Sequence, residues 1–158
     1  MINVYDNLFS KDIQNEVLNY CTTALYSYGE NDRKDLPPTG MVSEIFPDSP
    51  IYSLMIDHTV RFLNSGKKST CYRMYVNCFT PGENPYFHVD AKSGHTFIYY
   101  PQFDWSLDDG GEIQFNIDGE LYGVFPVSNR LIMFDSTMMH RATSFRDRHR
   151  FSIAVKYE

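Results

Sequence analysis

Paired cysteines are missing from this chain: Cys21, Cys71 and Cys78 make an odd number and include no CxxC. A disulfide framework and a structural zinc knuckle are therefore both excluded as the organising device. No apolar run approaches the length needed to span a membrane, and the N-terminus lacks the basic start and apolar stretch of a secretion signal. The expectation is a soluble protein of a reducing cytoplasm with no membrane contact. Positive charge is also scarce, with 14 Lys and Arg against 20 Asp and Glu and a net charge of −6. The global field repels nucleic acid, and the local basic stretch at Arg141, Arg146, Arg148 and Arg150 reads as a solvated turn balanced by Asp147. Finally there is no HExxH, the helical signature of zinc peptidases.

What is abundant is aromatic: twelve Tyr and twelve Phe among 158 residues, a composition that suits a β-rich core. The length fits a single domain over residues 1–158 that buries its own core. Within it, 1–66 reads as helical support and 69–158 as the β core. Ser10 is placed to cap a helix running to about Tyr28, with Ile13, Val17, Cys21, Ala24 and Leu25 on one face. Residues 29–40 are turn formers and charges, hence a loop and a candidate lid over substrate. Ser49-Pro50 opens a second helix, cap followed by proline, that ends near Asn64-Ser65-Gly66.

Beyond Ser69 the helical period vanishes. Short β-like segments follow at 71–79, 86–90, 96–101, 111–116, 121–125, 130–135, 138–143 and 149–157, divided by Gly, Pro, Asn and Asp. This pattern predicts a sandwich or barrel, with the two helices covering one sheet. In the last segment Arg150, Ser152, Ala154 and Lys156 share one face, and Phe151, Ile153, Val155 and Tyr157 the other. The bulky face suits a helix layer. The small polar face requires water or a ligand cavity.

His88-Val89-Asp90 carries the chemistry. Spacing by two is the strand period, so both side chains leave one face and converge. His140 arrives from another strand after the turn at Asp135-Ser136-Thr137. Two imidazoles and one carboxylate form the facial set that holds a ferrous ion and leaves half an octahedron open. A lone HxD is more often a salt bridge beside a core histidine; the third ligand and a downstream arginine distinguish this one. Zinc could use the same ligands for hydrolysis, but such enzymes carry their histidines on a helix. His58, His95 and His149 read as structural or solvent-facing. Arg150 sits on the cavity face and needs a buried partner, which a dicarboxylate co-substrate would supply bidentately. Ser152 on that face and Tyr100 on a neighbouring strand are further donors to such an acid. The competing reading for Arg150 is a surface ion pair in a charged turn.

Over residues 73–157 these features resemble the 2-oxoglutarate/Fe(II)-dependent dioxygenases, and within them the prolyl 4-hydroxylase branch. The carriers are His88-Val89-Asp90, Ile98-Tyr99-Tyr100 leading to Asp104-Trp105, Gly110-Gly111-Glu112-Ile113, His140, and Arg150-Phe151-Ser152-Ile153-Ala154-Val155. The resemblance implies a double-stranded β-helix, a cupin-like jelly roll with N-terminal helices on one sheet. It implies catalytic metal ligands at His88, Asp90 and His140, and 2-oxoglutarate bound by Arg150 and Tyr100. It also implies Fe(II) as cofactor, ascorbate as an accessory reductant, and O2 with a peptide or small molecule as substrates. The retained Asp90 favours hydroxylation over halogenation. Phe79 stands where oxygen-sensing relatives have Tyr, and Lys156 where many relatives have Trp, so the substrate is left open between a peptidyl proline and a free amino acid or metabolite. A non-catalytic jelly-roll binder is the alternative of another class, and oligomeric state is not legible.

Overall fold

A computed structural model describes residues 1–63 and 69–158. The fold is mainly β, in two sheets. Strands β1 (Ile2–Tyr5), β2 (Ser27–Tyr28), β3 (Met41–Glu44), β4 (Cys71–Phe79) and β5 (His95–Tyr100) are followed by β6 (Ile113–Ile117) and β7 (Glu120–Val124). The chain ends with β8 (Arg130–Asp135), β9 (His140–Ala142) and β10 (Arg150–Tyr157). The larger sheet runs β1-β8-β5-β10-β4-β3-β2, the smaller β7-β6-β9, and every pairing is antiparallel.

Two helices cover one face of the larger sheet. Helix α1 (Lys11–Thr23) starts where the Ser10 hydroxyl accepts from Ile13 N–H, and α2 (Pro50–Thr59) where Ser49 accepts from Ile51 N–H. Both caps satisfy backbone donors that the first turn leaves free. Val17, Cys21, Ile51 and Met55 pack in one cluster with Met74, Val76, Phe97, Tyr99, Ile153 and Val155. Each such fully buried aliphatic side chain contributes about 1.5–3 kcal/mol. The other face presents Tyr75, Ile98, Tyr100, Ile132, Phe134 and Ala154 to Ile113 and Phe115 of the smaller sheet. The alternation expected of the last strand therefore holds residue by residue. No helix among the described residues is long and apolar enough to cross a membrane.

Several expectations are corrected. Helix α1 stops at Thr23, because Ser27 and Tyr28 leave to pair with β3 at the edge of the larger sheet. Leu25 is consequently 92% exposed rather than part of the buried face. Residues 86–90 are not a strand: only a single bridge joins His88 to His140. The backbone past it swings away, and Asp90 and Ala91 N–H both donate to the Ser136 carbonyl. Strands β1 and β3 were not expected; they exist because they pair with β8 and β4, a tertiary choice that four-residue segments do not advertise. Helix α2 gives way to a 3-10 turn at Val60–Phe62, and the expected end near 64–66 lies outside the described residues.

Gly94 fixes the backbone that carries Asp90. Its carbonyl accepts from Ser136 N–H at 3.0 Å, and Ser136 in turn accepts from Asp90 N–H at 3.0 Å. Its φ is +100°, and a Cβ there would collide with the Tyr157 carbonyl oxygen. Gly94→Ala is expected to cost about 3 kcal/mol, read as a lowered urea midpoint with an unchanged slope.

Candidate metal centre and co-substrate cavity

Two short loops and one strand end bring His88, Asp90 and His140 together. Reciprocal backbone hydrogen bonds of 2.9 Å between His88 and His140 lock their positions side by side. The turn that delivers His140 is held by Asp135, whose carboxylate accepts from Thr137 N–H at 2.9 Å and its hydroxyl at 2.7 Å. One ligand-capable atom from each of the three side chains lies within 4.8 Å of the others. His88 Nε2 is 3.5 Å from Asp90 Oδ1, and His140 Nε2 is 3.8 Å from Asp90 Oδ2.

The histidine tautomers follow from their outer contacts. His88 Nδ1 faces the Tyr86 carbonyl at 3.0 Å and His140 Nδ1 the Met138 carbonyl at 2.9 Å. A carbonyl only accepts, so each Nδ1 carries a proton and, in the neutral ring, Nε2 is the atom with the lone pair. Burial lowers the His140 pKa to about 4, so this ring is neutral at ordinary pH. For His88 burial is outweighed by Asp90, the Tyr86 carbonyl and Asp32, and its pKa is raised. For Asp90 burial is likewise overcome, by His88, Lys156 and His140, so its carboxylate stays ionised. With each Nδ1 given to a carbonyl, the two Nε2 atoms and one anionic carboxylate oxygen are the donors that face each other, a set that fits a divalent ion of borderline character once His88 gives up any Nε2 proton.

Beside these groups lies a cavity of about 220 Å3 between the sheets, lined by His88, Asp90, His140, Tyr100, Arg150 and Ser152 among others. All six residues singled out in the sequence therefore meet at one place. Arg150 is 2% exposed. Its Nη1 donates to the Gly111 carbonyl, its Nε has no partner, and its plane lies near the rings of Phe79 and Phe145. Among the described residues no carboxylate lies within ion-pair distance, which rules out the surface ion pair. A guanidinium enclosed without a counter-anion is costly, and a ligand carboxylate is the missing partner. Gly111 allows this packing: at φ +80° a Cβ would stand 3.0 Å from Arg150 Nη1 and 3.3 Å from Trp105. The Tyr100 phenol is raised in pKa by burial, with Arg150 and Arg130 opposing. Both the metal and a diacid thus fit the residues present.

The structure adds residues to which the sequence reading gave no role at the site. Lys156 Nζ sits 2.7 Å from Asp90 Oδ1, and Thr96 Oγ1 donates to Asp90 Oδ2 at 2.5 Å. Asp32 Oδ1 is 3.6 Å from His88 Nδ1, brought there by the 29–40 loop. That loop is tied down by Glu30 on Arg73 at 2.9 Å and by Gly40 N–H on Glu83 at 2.8 Å. Lys156 was legible in principle, since it shares the polar face of its strand with Arg150. Asp32 was not, because a loop has no period. His58, read as structural or solvent-facing, bonds the Leu54 carbonyl through Nδ1 and packs against Phe9.

Residues 70–157, more than half of the chain, match the family described as the 2OG-Fe(II) oxygenase superfamily. No curated protein sequence matches the chain. Among solved structures, a prolyl-4-hydroxylase of Pseudomonas putida superposes with a TM-score of 0.82 at 17% identity, over 99% of this chain and 92% of that one. A Trichoplax adhaerens prolyl hydroxylase, solved with a hypoxia inducible factor peptide, gives 0.77 at 19% identity, over 99% and 82%. The viral collagen prolyl hydroxylase of Paramecium Bursaria Chlorella virus-1, solved with 2OG, gives 0.76 at 16% identity, over 99% and 94%. At such identities the likeness is one of fold, the double-stranded β-helix.

Proposed function

This chain belongs to the 2OG-Fe(II) oxygenase superfamily, whose members use Fe(II) and 2-oxoglutarate, and from that premise we propose that it hydroxylates a prolyl or similar side chain carried on a peptide. The observation that carries the reading is Arg150, a buried cation whose Nε is unpaired and which has no carboxylate partner among the described residues, in the cavity that His88, Asp90 and His140 border. His88 and His140 would hold the metal through Nε2 and Asp90 through a carboxylate oxygen. Bound there, Fe(II) and 2-oxoglutarate supply the oxidation: O2 is consumed, the keto acid leaves as succinate and CO2, and one oxygen atom enters a C–H bond of the substrate. Arg150 would take the far carboxylate of the acid as a two-pronged donor, with the Tyr100 and Ser152 hydroxyls beside it. Phe79, Ile98, Ile113 and Ala142 add apolar surface to the same space. Fixing the acid at both ends is how the chain itself contributes, by orientation.

Support for a peptide is the open groove of about 490 Å3 formed by Phe87, Val89, Asn116 and Met139 with Asp32 and Arg33. It shares Asp32, His88 and Val89 with the inner cavity, so an extended chain could lie in it and point one side chain inward. The test is succinate release by Fe(II)-loaded protein with 2-oxoglutarate, against proline-containing peptides and, in parallel, free amino acids. Peptide-stimulated release with gain of one oxygen in the peptide is the expected result. Stimulation by free amino acids alone would make it a metabolite hydroxylase, and absence of 2-oxoglutarate binding would leave only a jelly-roll binder.

A further inference from the structure

Each oxygen of Asp90 has its own donor, and the two donors differ in charge. Oδ2 accepts from the Thr96 hydroxyl at 2.5 Å, with Ser136 Oγ behind it at 3.1 Å. Oδ1 accepts from Lys156 Nζ at 2.7 Å. The ammonium is no roaming surface group. Lys156 is 8% exposed, its Nζ lies 5.2 Å from the centre of the Tyr75 ring, and its strand neighbours are Arg73 and Thr96. Among the described residues Asp90 is the one carboxylate within ion-pair distance of it. It lies six positions along the strand from Arg150 on the same face, roughly 20 Å, so it cannot serve as a second grip on the same end of a small diacid.

We propose that Lys156 is a positioning residue that confines Asp90 to one-oxygen ligation and withholds part of its charge from a bound divalent metal, loosening the metal's hold. This rests on the reading of His88, Asp90 and His140 as the metal ligands. Two hydrogen bonds, one to each oxygen, fix the plane of the carboxylate, and the ammonium and the metal compete for the same negative charge at short range. A structural ion pair predicts the opposite sign: its loss would disorder Asp90 and weaken the metal.

The experiment is titration with Mn(II), followed by the electron paramagnetic resonance signal of the free ion, on wild type, Lys156→Met, Lys156→Gln and Lys156→Arg. Lys156→Met is expected to bind Mn(II) about tenfold tighter, and Lys156→Arg within about twofold of wild type. Lys156→Gln, neutral but still a donor, guards against misfolding of the Met variant and is expected to bind tighter as well. With Co(II) in place of Mn(II), the visible bands of Lys156→Met should shift as the second carboxylate oxygen becomes free, and those of Lys156→Arg should not. Equal or weaker Mn(II) binding in both neutral variants overturns the role of Lys156 and leaves the metal site standing. Failure of the wild type to bind Mn(II) overturns the metal site itself.

Discussion

Arg150→Met is expected to abolish saturable 2-oxoglutarate binding at millimolar concentration while leaving the metal-free protein at least as stable as wild type. The two halves of this result have one cause. The guanidinium is enclosed, its Nε is unpaired, and among the described residues it has no carboxylate partner. Its burial raises the free energy of the folded chain, which the downward push of burial on its pKa also expresses. A flexible apolar side chain removes that penalty and should stabilise by about 1–2 kcal/mol in thermal melts. The same substitution deletes both charged hydrogen bonds to a ligand carboxylate, a loss of about 3–5 kcal/mol, or roughly a hundredfold to several thousandfold in affinity. Lys at this position keeps the charge but loses the fork and the bond to the Gly111 carbonyl, so Arg150→Lys should fall between. Tyr100→Phe removes one neutral donor and should cost only about threefold to tenfold. Anaerobic titration of the Fe(II) protein with 2-oxoglutarate, watching the visible charge-transfer band, ranks all three. Wild-type affinity in Arg150→Met would remove the basis of the proposed function.

The sequence made the site legible and parts of the scaffold opaque, for reasons that lie in the geometry. Alternation in Arg150-Phe151-Ser152-Ile153-Ala154-Val155-Lys156-Tyr157 is strict because the two faces of β10 meet different surroundings, a helix layer and a cavity. That is why Arg150 and Ser152 could be assigned to the cavity without coordinates. His88 and Asp90 do converge although their segment is not a strand, because the bridge to His140 holds one and the Ser136 carbonyl, accepting from Asp90 N–H, holds the other. Strands β2 and β3 left no such trace. Ser27 and Tyr28 at the sheet edge and Met41–Glu44 beside them are half-buried or exposed, so nothing forces alternation on them. The same holds for the contact of Asp32 with His88, which depends on how a turn-rich loop is pinned by Arg73 and Glu83 rather than on any local pattern.

Asp90→Ala is expected to have the largest effect on metal binding, and a stability signature that identifies why. Deleting the anionic ligand should lower Mn(II) affinity by at least about a thousandfold, since two neutral imidazoles remain. It also strands Lys156, whose side chain is only 10% exposed and whose ammonium then has no carboxylate within reach among the described residues. Breaking one side of a buried pair costs about 3–5 kcal/mol, so Asp90→Ala should unfold at distinctly lower urea concentration. Lys156→Met alone should cost less, because Asp90 keeps the Thr96 hydroxyl at 2.5 Å and the two imidazoles nearby. Combining Asp90→Ala with Lys156→Met removes both charges, and the double variant is expected to regain most of the lost stability without regaining the metal. A double-mutant cycle on urea unfolding therefore gives a coupling of about 2 kcal/mol or more if the pair is coupled as the 2.7 Å contact indicates. Additive losses would mean that Lys156 finds water when Asp90 is gone, and would separate the electrostatics of the pair from the fate of the metal.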